Sequence, residues 1–192
     1  MRKILSKEER KRKEKIKQLI IGGFLIVIMT LSVLGFALIN TNKETKKEIE
    51  YKGIKFIQDN SGYWSSFIKG NQIFTKYNPL ELQNISFFIL YSIDNYANLP
   101  LYFVINTSDQ EAVLELKRNM NNFVLRLQDA CLPDYKCKED LPLKNCSTDN
   151  IIVIEESEEN TIIQKENCIF IKSSFRNQIR YADAFLYRIL GL

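Results

Sequence analysis

Residues 19–39, LIIGGFLIVIMTLSVLGFALI, form a run of 21 positions without a charged side chain. At about 1.5 Å per residue a helix of that length reaches roughly 31 Å, the thickness of a bilayer's hydrocarbon core. A soluble amphipathic helix of this length would show a polar face, and only Gly22, Gly23, Thr30, Ser32 and Gly35 interrupt the run. A cleavable signal peptide has a shorter apolar region closed by small residues, whereas this run exits into Asn40-Thr41-Asn42-Lys43. The expectation is a retained membrane helix over 18–40, in contact with lipid. A pilin-like leader is also rejected, because the acidic residue expected inside its helix is replaced by Ile28.

The positive-inside rule sets the direction of insertion. Residues 1–17 carry nine Lys/Arg against three Glu, a net charge of +6, and Ser6-x-x-Glu9 has the form of a capping box. This basic tail reads as a topology signal, with attraction to anionic headgroups as a second role. The N-terminus is expected in the cytoplasm and residues 43–192 outside. A short polar tether, 41–48, then leads to one domain over 49–192, about the size of an ordinary single domain. Beyond the tail there remain 18 basic and 20 acidic residues, so the exported part gives no support for nucleic-acid binding.

Period and punctuation predict a mixed α/β (α+β) domain. Runs at 51–58, 63–67 and 72–77, separated by turn residues, suggest an antiparallel meander. Asn78-Pro79 looks like a helix start, and the apolar run 85–93 is too short to assign. A strand at 101–105, a helix introduced by a capping box at Ser108–Glu111, and a strand at 123–128 suggest a right-handed parallel βαβ unit. Strands at 151–155, 161–164 and 168–172 follow. A terminal helix at 174–190 presents Phe175, Ile179, Ala182 and Leu186 on one apolar face, with Gly191 as its stop.

Cys131, Cys137, Cys146 and Cys168 all lie beyond the apolar run, and an even count outside the cytosol points to two disulfides. Their spacings fit neither a zinc ribbon nor Cys-x-x-Cys, so no metal is expected. Sequence leaves three pairings open; proximity alone favours Cys131–Cys137 with Cys146–Cys168.

The chain contains no histidine, which excludes Ser-His-Asp and Cys-His catalysis. Any catalysis would fall to shifted carboxylates, lysine or tyrosine, and no cofactor motif is present. Glu155, Glu156, Glu158 and Glu159 are read as a solvated turn, since they lack the frame of a calcium loop. Asn106, Ser108 and Asp109 are weak ligand candidates at the carboxyl end of a parallel strand. Asn84, Asn106 and Asn145 are glycosylation candidates in Asn-x-Ser frames.

The N-terminal anchor, YKGIKFIQDNSGYW, YNPLELQNI, NCIFI and ADAFLYRILGL together resemble uncharacterised archaeal single-pass membrane proteins over 51–192. The resemblance implies the architecture and carries over no activity, cofactor or site residue. The expected function is a membrane-anchored extracytoplasmic binding or envelope-assembly module, without catalytic activity, for an unknown protein or envelope partner. The alternative is a membrane-tethered hydrolase using paired carboxylates. An accessible cleft with perturbed carboxylates would favour the enzyme, and an exposed apolar patch would favour the binding module.

Overall fold

A computed structural model describes residues 7–39, 47–137 and 140–192. The chain divides into two units, Met1–Thr45 and Lys46–Leu192. Most of the tether 41–48, and Ser6 of the N-terminal capping box, lie outside the described residues.

The described residues of the first unit form one helix, α1, Lys7–Ile39, which runs without a break from basic residues into the apolar run. Within Lys11–Gly35 an 18-residue stretch has a mean hydropathy of 2.2 and none of it is buried, so the helix is long and apolar enough to cross a membrane. Thr30 donates its hydroxyl to the Val27 carbonyl at 2.9 Å, which hides the polar atom within the helix.

The second unit begins with four antiparallel strands in chain order: β1, Glu48–Tyr51; β2, Ile54–Gln58; β3, Trp64–Ile68; β4, Asn71–Thr75. The run expected as one strand over 51–58 therefore holds the last residue of β1, a hairpin turn at Lys52-Gly53 and all of β2. Lys52-Gly53 and Lys69-Gly70 take φ of +49° and +77°, and +48° and +80°, the left-handed values that two-residue hairpin turns require. Lysine at the first position disguises the turn in the sequence, because Asn or Asp is the usual signal there.

Asn78 caps a single 3₁₀ turn, Pro79–Leu82, with Glu81 completing a capping box. The unassigned run at 85–93 contains only a two-residue strand, β5, Phe87–Phe88. The expected βαβ unit follows: β6, Pro100–Asn106; α2, Gln110–Met120; β7, Arg126–Asp129, with β6 and β7 parallel neighbours. Asp109, not Ser108, caps α2, accepting from the Glu111 and Ala112 amides. The one-residue shift leaves the Glu111 carboxylate free to take the Tyr63 hydroxyl at 2.5 Å.

β8, Ile151–Glu156; β9, Thr161–Lys165; and β10, Cys168–Ser173 complete a six-stranded sheet ordered β5-β9-β10-β8-β6-β7. β6, β7, β8 and β10 are parallel, β9 opposes β10, and β5 runs parallel to β9. The chain closes with α3, Gln178–Leu190. One core joins the inner side of the six-stranded sheet (Phe103, Ile152, Ile169), the two helices (Leu116, Phe185) and the meander (Phe56, Ile73).

Ten of the 13 residues of α3 are buried, including Gln178, Asp183 and Tyr187. The expectation of one apolar face thus understates this helix, whose neighbours include the 3₁₀ turn at Pro79, β9, β10 and α2. Phe175 is a correction in the other direction. It sits in a 3₁₀ turn before α3 and is 50% exposed, because the short turn rotates it off the helix face.

Candidate functional site

The outer side of the six-stranded sheet is where apolar surface and loop chemistry meet. Cross-strand registers place Val104, Val153, Phe170, Ile163 and Phe88 in one row across β6, β8, β10, β9 and β5. Among the described residues, those of the 130–149 segment pack over the β6, β8 and β10 part of that row. Ala130, Leu132, Tyr135 and Cys146 pack with Tyr102, Val104, Ile151, Val153 and Cys168 into a second core cluster.

Three fastenings hold the loop. Cys131 is bonded to Cys137, with Cα atoms 5.8 Å apart, and Cys146 to Cys168, with Cα atoms 5.1 Å apart. The second bridge ties the loop to the first residue of β10. Glu155 supplies the third: its carboxylate takes Lys172 Nζ at 2.5 Å and the Tyr135 hydroxyl at 2.5 Å. Burial and this carboxylate together raise the pKa of the Tyr135 phenol. Glu155 therefore corrects the expectation of a fully solvated glutamate turn. It is the last buried residue of β8, 9% exposed, and its charge is matched by the cross-strand lysine.

Where the loop ends, a cleft of about 560 Å³ opens between Pro133, Tyr135 and Cys146 on one wall and Lys165, Phe170 and Lys172 on the other. Beyond it the sheet is bare. Phe88 is 83% exposed and Leu90 93% exposed, while their neighbours Phe87 and Ile89 turn inward to the main core. Gln164 of β9 holds this stretch by accepting the Leu90 and Tyr91 amides at 2.9 and 3.2 Å. The surface signal lay hidden within an apolar run whose two faces the sequence could not separate.

The ligand candidates share the short loop between β6 and α2. Asp109 is engaged in capping α2, and Asn106 and Ser108 are exposed. A hollow of about 330 Å³ does open at the ends of β6 and β7, but its lining includes Thr107, Gln110, Asp129 and Lys136 rather than those three. Thr107 is bound into the fold, donating to Gln178 Oε1 at 2.5 Å and accepting the Asp109 amide at 3.0 Å. Asn84, Asn106 and Asn145 are all exposed. Asn145 Oδ1 accepts the Ser147 amide and hydroxyl at 3.0 and 3.1 Å, closing an Asx turn.

Paired carboxylates are present, in a place the sequence did not indicate. Glu115 of α2 and Asp183 of α3 are 3% and 0% exposed. Glu115 Oε1 accepts the Lys76 amide at 3.1 Å, and Asp183 Oδ2 accepts the Tyr77 amide at 2.9 Å. The other oxygens, Glu115 Oε2 and Asp183 Oδ1, are buried without an N–H or O–H donor. The two carboxyls act on each other, and one proton held between them would satisfy both oxygens. Burial pushes both groups up, Asp183 well above the ordinary carboxylate range.

Asn119 completes the arrangement by accepting the Phe74 amide at 2.9 Å and donating to the Phe74 carbonyl at 2.7 Å. Together these side chains occupy the open edge of β4 and the residues after it, as a neighbouring strand would. The legible signal was a polar residue inside an apolar helix face, as in Ala182-Asp183-Ala184. Chemically the pair could exchange a proton. However, its free oxygens are buried, and of the two residues only Glu115 lines the neighbouring hollow, with Tyr63, Glu111 and Arg118. No family model, no curated protein and no solved structure matches the chain.

Proposed function

We propose that this chain is a single-pass membrane protein with a cytoplasmic N-terminus, whose domain over 47–192 works outside the membrane by binding a protein or envelope partner. The apolar helix α1 and the bonded cysteines support the placement.

The observation that carries binding over catalysis is the bare end of the six-stranded sheet, with Phe88 and Leu90 side by side in solvent. Exposed apolar surface of this kind on an otherwise well-packed domain marks a contact site. The carboxylate pair that would have served a hydrolase is used instead to seal the edge of β4.

The test is the size of the full-length protein extracted from its native membrane in mild detergent. The expected result is a complex larger than the 22.5 kDa chain, lost in the Phe88→Ser/Leu90→Ser double variant while its melting temperature is unchanged. Wild-type protein running as a lone chain would overturn the proposal.

A further inference from the structure

We propose that the outer face of β6 and β7 binds a phosphate group, held by Arg126, Lys144 and Gln128 around the Tyr102 hydroxyl. The site is separate from Phe88 and Leu90, which lie at the opposite end of the six-stranded sheet, so neither reading depends on the other.

β6 and β7 run parallel, with Tyr102 directly opposite Gln128. Arg126, two residues before Gln128, shares its face of the strand, and its guanidinium donates to the Tyr102 hydroxyl at 3.0 Å. Lys144 reaches the same ring from the covering loop, with Nζ 4.1 Å from the ring centroid. Tyr102 is buried, whereas Arg126 and Gln128 are exposed, so the group opens to solvent on the β7 side. Lys144 and Arg126 together hold the Tyr102 phenol below its ordinary value.

Donors outnumber acceptors in this group. Arg126 spends one guanidinium N–H on Tyr102, and among the described residues it has no carboxylate within ion-pair distance. Tyr102 accepts that bond, and its own O–H meets no acceptor among the described residues. The exposed Gln128 amide adds further N–H groups. The carboxylate beside them, Asp149, is already engaged at both oxygens. Its Oδ1 takes Lys144 Nζ at 3.0 Å, and its Oδ2 takes the Asn145 amide at 3.2 Å and the Thr148 hydroxyl at 3.0 Å. Asp149 therefore matches one of the two cations and leaves Arg126 over.

An oxyanion supplies the acceptors that are missing. A guanidinium fork takes two phosphate oxygens side by side, and an ammonium brings a point charge to a third. The phenol hydrogen and the Gln128 amide are left for the remaining oxygen. A carboxylate has only two oxygens and would leave part of the set unpaired, which is the reason to name phosphate.

The test is isothermal titration of the full-length chain with inorganic phosphate, in a phosphate-free detergent at constant ionic strength. The expected result is saturable binding, weakened about tenfold or more in Arg126→Gln and in Gln128→Glu, which sets a carboxylate beside the site. Both positions are exposed, so the thermal melt without phosphate should stay in place. Glycerol 3-phosphate separates the two sources: binding of both compounds marks a phosphate carried on a larger molecule, and its exclusion marks the free ion. Acetate binding as tightly as phosphate, no phosphate binding, or undiminished binding in both variants would overturn the proposal. So would an Arg126→Gln variant that only melts lower, the result expected if the guanidinium merely covers the ring.

Discussion

Asp183 sits between two alanines in a buried helix and keeps one oxygen on a backbone amide and the other against Glu115. A carboxyl held this way resists ionisation, so the folded chain keeps a proton that the unfolded chain releases above its ordinary value of 3.8. The folded state then binds more protons, and stability falls with rising pH. The stabilisation is complete below 3.8 and is lost as pH climbs through the raised folded value. Arg118, 3.6 Å from Glu115 Oε2, opposes this only in part. Asp183→Asn keeps an acceptor for Tyr77 and gives Glu115 a permanent donor. We expect it to flatten the decline in denaturation midpoint measured from pH 4 upward, while Asp183→Ala lowers the unfolding free energy at every pH by about 1–3 kcal/mol for the orphaned amide. An unchanged slope in Asp183→Asn would show that the pair does not share a proton.

At the scale of elements, the final helix shows what sequence periodicity delivers and where it stops. Spacing located α3 and its buried Ile179 and Leu186, but it also enrolled Phe175, which a 3₁₀ turn swings into solvent. Leu186→Ala should cost about 2–5 kcal/mol, as a cavity in a closed core does. Phe175→Ala should cost far less, and equal losses in the two melting curves would contradict the packing described. The βαβ unit was legible from its helix period, although its second strand is shifted: Phe123–Leu125, expected inside it, belong to the turn after α2, and β7 starts only at Arg126. The β1–β2 turn was not, because Lys52-Gly53 lacks the side chain that usually announces it. Residues 85–93 failed for another reason: apolar side chains on both faces erase the alternation that would identify an edge strand. The cysteines were the readable part of the loop, whereas the Glu155–Tyr135–Lys172 contacts depend on a register that sequence does not show.

For the whole molecule, the basic first turns of α1 and the uncharged span beyond them make a claim about topology. Protease added outside intact cells should remove the 47–192 domain and spare a tag at the N-terminus. A protected C-terminal domain would reverse the orientation. The same chain direction has a mechanical consequence. The domain is entered through β1, which pairs only with β2, and the next two strands follow in sequence order. A pull from the N-terminal side therefore peels hairpins one ladder step at a time instead of shearing a whole sheet. The meander spans 48–75, and fully drawn out it would give roughly 90 Å of slack. That slack would be released before tension reached the six-stranded sheet, leaving the exposed Phe88 and Leu90 at its β5 end undisturbed.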